Sequence, residues 1–270
     1  MDIQKSINYI KNNGNVIEKA RLSAILWDEE PSSEILKNLA SRQYSDGGFS
    51  YWVKEVSNIC DTCYILEWFD DLKVHKGDIA DRACKFLLDH QLQDGGWDEV
   101  KRVTSYNPPK WMVPGQIENR VWLTAYCAHV LIRFGYAEAE GTSCPTDFLL
   151  TNSNSSGRLI GYLRATWLAL PMLAFYPGPD PESYNRAIKV VEDNFSSEWK
   201  GAYVAWLLRC LKDGGLMSDH QLVLQTISEL KKKQNFDGSW DPEEGEGEEQ
   251  RVNATITAIR ALKEYNTFKL

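Results

Sequence analysis

A carboxyl group and two thiols lie within four residues in the segment "NICDTCYILEW", which covers residues 58–68. Asp61 could donate a proton if burial keeps its carboxyl protonated. Cys60 and Cys63 have the Cys-x-x-Cys spacing, which at a helix start can lower a thiol pKa. Asp61 and Thr62 could instead cap the following helix through their side-chain oxygens. Capping is the interpretation that such a segment favours, and the others remain alternatives.

A second carboxyl, Glu118, stands at the start of the apolar pattern "ENRVWLTAYCAHVLIRFG" beside aromatic residues, where it could also act as an acid. An ion pair with nearby Arg120 would keep Glu118 ionised and prevent that role. A favourable charge at a helix N-terminus is the alternative interpretation of Glu118. The carboxyls in the long connections at 92–117 and 235–250 include Asp98, Glu99, Glu248 and Glu249.

Aromatic residues are abundant, with ten Trp and twelve Tyr in 270 residues. Their ring faces could stabilise a carbocation in an apolar cavity, and the alternative is that they fill the core. The residues that we predict to bind substrate are Tyr64, Trp68, Arg120, Trp122, Tyr126, Trp167 and Trp206.

Apolar residues at three- and four-residue spacing predict twelve helices, and no segment alternates like a strand. The predicted helices are 2–12, 15–27, 32–43, 57–72, 78–91, 118–135, 145–151, 157–175, 181–194, 199–212, 218–234 and 251–265.

The twelve helices form six pairs whose members differ in polarity. Second members such as "GAYVAWLLRCL" are apolar over much of their circumference, whereas first members such as "ADRACKFLLDHQ" keep a charged face. A helix that is apolar all round is buried on both sides. We therefore predict an all-α fold, a single (α/α)6 toroid with six inner and six outer helices, which forms one domain over residues 1–270.

One phrase occurs three times: "QYSDGGF" from Gln43, "QLQDGGW" from Gln91 and "QNFDGSW" from Gln234. The first two copies are 48 residues apart, which is a period that accommodates two helices and their connections. Asp-Gly favours a tight turn, Gln can satisfy nearby backbone groups, and the aromatic ring can pack between outer helices. The phrase predicts a structural turn between an outer and an inner helix.

This pattern of an outer helix ending in Gln, then Asp-Gly-x-Trp, then an inner helix resembles the QW motif of the terpenoid cyclase and protein prenyltransferase superfamily. The resemblance covers most of the chain and implies a single barrel that binds a hydrophobic isoprenoid. It also implies possible cyclisation or isomerisation, a lyase or isomerase activity, for which Asp61 and Glu118 are our candidate acids.

The class II cyclases of that superfamily protonate their substrate with an Asp-x-Asp-Asp-Thr motif, in which the middle Asp is the acid. The best counterpart here is Asn58-Ile59-Cys60-Asp61-Thr62, so a thiol occupies the acid position. A thiol of pKa about 8.5 cannot protonate an alkene. The resemblance therefore does not decide whether the chain is an enzyme, and a toroid that binds a ligand or protein without catalysis is the alternative.

Protein prenyltransferases of the same superfamily bind zinc with an Asp-x-Cys-Tyr motif and a later His. Asp61-Thr62-Cys63-Tyr64 matches that motif, but the later inner helices begin without a His. We therefore predict no metal ligand and no cofactor. A zinc-dependent prenyltransferase β-like subunit, which would need a second subunit, remains a further alternative.

The composition bounds the partners and the compartment. A net charge of −8 and the acidic run "DPEEGEGEEQ" argue against nucleic acid as a partner. No apolar stretch is long enough for a transmembrane segment, and the start of the sequence is polar. Six dispersed cysteines suit a reducing compartment and small core positions. We expect a cytoplasmic protein.

Overall fold

The computed structural model describes residues 1–136, 144–176 and 178–269, and these contain thirteen α-helices. They are α1 (Ile3–Asn13), α2 (Val16–Trp27), α3 (Ser33–Ala40), α4 (Ile59–Asp71), α5 (Asp78–Asp89), α6 (Ile117–Arg133), α7 (Pro145–Thr151), α8 (Leu163–Leu168), α9 (Leu170–Phe175), α10 (Ser183–Asp193), α11 (Gly201–Asp213), α12 (Gln221–Lys232) and α13 (Arg251–Glu264). The described residues include two isolated β-bridges and no strand, so the predicted all-α fold is confirmed.

All twelve predicted helices are present, but the eighth is two helices. The predicted helix 157–175 begins later and divides at Ala169 into α8 and α9. Pro171 occupies the first turn of α9, where its missing N–H does least harm. The proline therefore explains why one apolar pattern produces two short helices.

The chain divides into two compact units, one made of residues 1–35 and 194–270 and the other of residues 36–193. In the first unit, α11 contacts α13 and α13 contacts α2, while α12 and α1 pack on these helices. In the second unit, α4 contacts α6 and α6 contacts α8, while α5, α7 and α10 pack on them. A single domain over 1–270 stays a prediction.

Burial distinguishes the two kinds of helix as the sequence predicted. Every residue of α4 except Tyr64 is buried, whereas α5 buries one face through Ala80, Ala83 and Leu87. Charged residues cover the opposite face of α5 and meet water. Within the described part of the chain, no helix is both long and apolar enough to cross a bilayer.

Each repeated phrase forms the same turn, which the copy from Gln91 illustrates. The Gln91 amide donates to the carbonyl of Gly95 (2.9 Å), and the Asp94 carboxylate accepts the N–H two residues later (3.0 Å). The indole N–H of Trp97 donates to the Leu87 carbonyl of α5 (2.7 Å). The phrase is therefore a structural turn, as predicted.

The Gln side chain also fastens its turn to the next outer helix. Gln43 donates to the Ile79 carbonyl at the start of α5 (2.9 Å). Gln234 donates to the Asp2 carbonyl, the residue before α1 (2.9 Å). A single amide thus satisfies backbone groups in two elements, which is the role that the sequence predicted for it.

A fourth turn with the same backbone pattern lies at residues 153–159, where the sequence lacks both the Gln and the aromatic residue. Asn154 donates its N–H to the Arg158 carbonyl and Gly157 donates to Asn154, both at 2.9 Å. Gly157 has φ +87°, close to the +84° to +94° of the Asp-Gly glycines in the three predicted turns. The described residues therefore contain a fourth copy of the turn, which the sequence does not reveal because the Gln and the aromatic residue are replaced.

The last residue of each turn donates its backbone N–H to the hydroxyl of a buried threonine on the inner helix that follows. In the second unit these threonines are Thr62, Thr124 and Thr166, which accept from residues 49, 97 and 159 at 2.9, 2.9 and 3.1 Å. In the first unit, Thr255 accepts from Trp240 at 3.1 Å. Helices α4, α6 and α8 consequently share one register relative to their turns.

Substitution of Gly157 by Ala should destabilise the protein more than the same change at Gly115. Both glycines have φ above +80°, which costs an alanine about 1–2 kcal/mol. A Cβ on Gly157 would lie 2.6 Å from the Cβ of Arg186 on α10, whereas a Cβ on Gly115 would meet nothing within 4 Å. Urea unfolding of both variants measures the difference, and equal losses would show that the fourth turn does not pack as described.

Candidate functional site

Asp61 lies in the first turn of α4 and is completely buried. Its Oδ2 accepts the backbone N–H of Tyr51 (2.7 Å), the N–H of Val53 (3.2 Å) and the side-chain amide of Asn58 (2.6 Å). Among the described residues, its Oδ1 has no hydrogen-bond partner. Asp61 therefore holds the loop that precedes α4 through Oδ2, while its buried Oδ1 makes no hydrogen bond among the described residues.

Burial raises the pKa of Asp61, since water no longer solvates its charge, and the hydrogen bonds from Asn58 and from the 51–53 loop oppose that shift. Because its pKa is raised, the Asp61 carboxyl keeps its proton to a higher pH than an exposed aspartic acid does. This is the property that a proton donor at this position needs.

The predicted capping roles of Asp61 and Thr62 are wrong. The N-cap of α4 is Asn58, whose Oδ1 accepts the N–H of Asp61 (2.8 Å). Thr62 uses its hydroxyl oxygen to accept the N–H of Phe49 from the preceding turn. The side-chain oxygens of Asp61 and Thr62 accept N–H groups from the segment that precedes α4, so they do not cap the helix.

Glu99 completes the cap from a different part of the chain. Its Oε1 accepts the N–H of Ile59 (2.8 Å) and of Val100 (2.8 Å), and its Oε2 accepts the N–H of Cys60 (2.9 Å). Only 5% of Glu99 is exposed. In the sequence, Glu99 is one of several loop carboxyls, and no neighbouring residue indicates that it binds the N–H of a residue 39 positions earlier.

Burial is also the main influence on Glu99 and raises its pKa to about 7. The three backbone N–H groups favour the charged form and lower the pKa, while the charge of Asp61 raises it further. The start of α4 therefore has two buried carboxyls, one in its first turn and one bound to its first N–H groups, and both have raised pKa values.

The thiols in this region are buried and weakly acidic. Burial raises the pKa of Cys60 and of Cys63 well above the usual value. The sulfur of Cys63 lies 3.6 Å from the sulfur of Cys127 on α6. Cys60 therefore offers no acid at the position that the middle Asp holds in class II cyclases, and the close thiol neighbour of Cys63 comes from another helix.

The described residues contain no group of three or more His, Cys, Asp and Glu side chains that could hold a metal ion. The zinc-dependent alternative stays a prediction that metal analysis of purified protein can check.

An aromatic cluster covers α4 next to Asp61. It consists of Tyr51, Trp52, Tyr64, Trp68 and Trp111, with neighbouring ring centroids 4.7–6.3 Å apart. Tyr51 belongs both to this cluster and to the loop that binds the Asp61 carboxylate. The cluster contains two predicted substrate-binding residues and three that the sequence analysis missed, because those three lie in loops without helical spacing.

Trp122 and Tyr126 lie on α6 with ring centroids 5.7 Å apart, and both are buried. Since α4 and α6 share one register, Trp122 occupies the position on α6 that Cys60 occupies on α4. Tyr126 corresponds in the same way to Tyr64. Within the described residues, the indole N–H of Trp122 has no hydrogen-bond partner.

The structure does not bring all predicted site residues to this place. Arg120 forms an ion pair with Asp94 of the repeated turn (2.7 Å), so the suggested pair with Glu118 is wrong. Glu118 is exposed in the first turn of α6. Trp167 is fully buried in α8, and Trp206 lies half-buried on α11 in the other unit. Their substrate-binding roles, and the acid role of Glu118, stay predictions.

Comparisons with known proteins identify the fold. The chain is 16% identical to a protein from Actinoplanes of known crystal structure, with 98% of both chains covered and a TM-score of 0.68. It is 15% identical to the type II terpene cyclase MstE from Scytonema in its apo form, with 98% of this chain and 97% of that chain covered and a TM-score of 0.68.

A variant of MstE solved in complex with geranylgeranyl dihydroxybenzoate, its substrate, is 14% identical, covers 98% of this chain and 96% of that chain, and has a TM-score of 0.62. No protein-family model and no curated protein matches the sequence. The chain thus has the terpenoid cyclase-like fold that its repeated phrases predicted.

Because the pKa of Glu99 is raised, the free energy of unfolding should decrease as the pH rises. The folded protein keeps a proton that the unfolded chain, with a glutamate pKa of about 4.3, has released, so rising pH up to about 7 favours unfolding. The loss between pH 5 and pH 8 should be about 3 kcal/mol, at about 1.4 kcal/mol per pKa unit. Urea unfolding at both pH values measures it.

Glu99→Gln should remove most of this pH dependence, because the amide does not titrate. Glu55→Gln is the matched control, since Glu55 is exposed in the loop before α4. A wild-type protein that is equally stable at pH 5 and pH 8 would contradict the assignment of a raised pKa to Glu99.

Proposed function

We propose that the protein binds a polyprenyl compound against the aromatic cluster and that Asp61 supplies the proton that starts its cyclisation or isomerisation. One observation carries the proposal. Asp61 is buried and its pKa is raised. Its Oδ1 has no hydrogen-bond partner among the described residues, while its other oxygen is held by the loop that carries Tyr51 and Trp52.

The surroundings of Asp61 suit both the protonated carboxyl before the transfer and the carboxylate after it. Before transfer, burial keeps the carboxyl protonated. After a proton leaves from Oδ1, the negative charge is stabilised at Oδ2 by the N–H groups of Tyr51 and Val53 and by the Asn58 amide. Donors that are already in position lower the barrier because they do not have to reorganise during the reaction.

The aromatic cluster suits the substrate and the cation that protonation would create. Polyprenyl chains are apolar, so burying them against Tyr64 and Trp68 gains about 25 cal/mol for each Å² removed from water. Protonation of an alkene leaves a carbocation, which the faces of aromatic rings attract. The cluster is connected to the acid through Tyr51, so both would act on the same part of a bound molecule.

The comparisons support the substrate class. MstE, a type II terpene cyclase of similar fold, has been solved with a geranylgeranyl compound as its substrate. At 14–15% identity this likeness supports a proposal about ligand chemistry and does not decide the activity. A toroid that binds such a compound without catalysis is the second candidate, and the observation in its favour is the thiol of Cys60 at the usual position of the acid.

Asp61→Asn should abolish turnover and keep binding. The asparagine side-chain oxygen can still accept the loop N–H groups, but the amide cannot donate a proton to an alkene. We expect wild-type protein to convert one of a set of polyprenyl alcohols, diphosphates and aryl ethers to a cyclic product, and the variant to be at least about 100-fold slower.

Product analysis by gas chromatography with mass spectrometry measures turnover, and Glu55→Gln serves as the matched control that should retain it. Saturable binding without any product from the wild-type protein would favour the non-catalytic candidate. Absence of both binding and turnover across the set would refute the proposal.

Tyr64→Leu should weaken polyprenyl binding about tenfold, because it removes an aromatic face of a type worth about 0.5–1.5 kcal/mol beyond its area. Phe175→Leu is the control, since Phe175 is exposed on α9 and lies outside the aromatic cluster. Fluorescence quenching on titration with a polyprenyl compound measures both affinities. Equal affinities of the two variants would place the ligand elsewhere.

A further inference from the structure

The 98–117 loop brings one tryptophan to the aromatic cluster. Trp111 lies in a short 3-10 turn, Lys110–Met112, and its ring packs against the ring of Trp52, with the centroids 6.3 Å apart and the ring planes at 88°. Trp52 in turn lies 5.9 Å from the ring of Tyr64 on α4. Because Trp111 is 36% exposed, it stands at the border between the cluster and solvent.

The side-chain amide of Asn119 holds the turn that carries Trp111. Asn119 lies in the first turn of α6 and is only 4% exposed. Its Nδ2 donates to the carbonyls of Lys110 (2.7 Å) and Val113 (2.8 Å), which flank Trp111 in the chain. Within the turn, the N–H of Val113 reaches the same Lys110 carbonyl at 3.4 Å. The bond from α6 is therefore the shorter of the two that this carbonyl accepts.

Further contacts keep the amide and the loop in this arrangement. Oδ1 of Asn119 accepts the hydroxyl of Tyr162, the residue before α8 (3.1 Å). Met112 buries its side chain beneath the loop and is 1% exposed. Asp98 accepts the N–H of Gly115 with both oxygens (3.0 Å each), which ties the two ends of the loop together. The Asn119 amide cannot turn to other partners without leaving buried polar groups unpaired.

We propose that Asn119 is a positioning residue for ligand binding, whose amide fixes Trp111 beside Trp52 so that Trp111 forms the outer wall of the polyprenyl site. A ring that is held in place before binding loses less conformational freedom when the ligand arrives, and this raises the affinity. Asn119 itself acts through the turn and does not touch the ligand. The inference rests on the proposed function, because its ligand is the polyprenyl compound that the aromatic cluster binds.

The position of Trp111 can be followed without any ligand, in protein labelled with 5-fluorotryptophan. The chain contains ten Trp, and the 19F resonance that disappears in Trp111→Leu identifies Trp111. Asn119→Leu keeps the approximate size of the side chain and removes both N–H donors. In this variant the Trp111 resonance should shift and broaden, because the ring is no longer fixed beside the perpendicular ring of Trp52. An unmoved resonance overturns the proposal.

Asn152→Leu is the matched control for the loss of a structural amide. Asn152 ends α7, where its side chain donates to the Phe148 carbonyl (2.8 Å). Its replacement should lower the melting temperature and leave the Trp111 resonance where it was. If Asn119→Leu does not fold, Asn119→Ala serves in its place with the same outcomes, because alanine favours a helix and its small side chain lets water reach the two carbonyls.

Equilibrium dialysis with the polyprenyl alcohol geranylgeraniol tests the consequence for binding. Trp111→Leu and Asn119→Leu should each weaken binding about fivefold, because each removes one fixed aromatic face. The double variant should bind no more weakly than Trp111→Leu alone, since Asn119 acts through Trp111. Asn152→Leu should bind like the wild type. Additive losses in the double variant, or wild-type affinity in Asn119→Leu, overturn the proposal.

Failure of this inference differs from failure of the proposed function. If the wild type binds neither geranylgeraniol nor any other compound of the set, the proposed function is refuted whatever the 19F spectrum shows. If the wild type binds and Asn119→Leu changes neither the Trp111 resonance nor the affinity, the inference alone is overturned. If both hold and the protein turns over its ligand, Asn119→Leu should raise KM and leave kcat nearly unchanged, whereas Asp61→Asn abolishes kcat.

Discussion

The hydroxyl of a buried threonine near the start of an inner helix is the acceptor on which each repeated turn depends. The turn buries the N–H of its last residue, and a buried N–H without an acceptor is costly. Thr62 accepts that N–H from Phe49 and donates its own hydrogen to the Asn58 carbonyl (2.6 Å), and Thr255 does the same with Trp240 and the Arg251 carbonyl. The second bond lies within the helix and fixes the hydroxyl, whereas the first joins the helix to its turn, so the helix cannot slide or rotate against the turn without losing it. The threonine therefore sets the register of the helix relative to the turn.

That register explains the content of the site in the second unit. It puts Cys60, Trp122 and Arg164 at one equivalent position on three neighbouring helices. It also brings the first turn of α4 against the loop that starts at Asp98, where the exposed N–H groups of the helix attract a carboxylate. Glu99 occupies this place as a buried group, and its burial raises its pKa to about 7. Burial removes the negative charge from water, and the backbone donors offset only part of that cost.

The chain has a fold similar to that of the type II terpene cyclase MstE. In the segment that resembles the class II motif, Cys60 is a thiol, while the neighbouring Asp61 is buried and held by three donors on one oxygen. A fold of this kind supplies a buried, aromatic environment at the helix starts, and the chemistry depends on which carboxyl that environment keeps protonated. The proposed activity therefore follows from Asp61 and its surroundings, with the fold providing the place.

The sequence by itself determined the helices and three of the four repeated turns, because helical periodicity and the φ requirement of Asp-Gly are local properties. It missed the fourth turn, where Ser153 and Leu159 replace the Gln and the aromatic residue and only the hydrogen bonds reveal the repeat. It placed Asp61 correctly at a helix start but assigned it to the wrong partners. Only the tertiary structure decided that the 51–53 loop binds Asp61 and that Glu99 caps α4 from 39 residues away, because contacts between distant segments depend on how whole helices pack and leave no periodic trace in the chain.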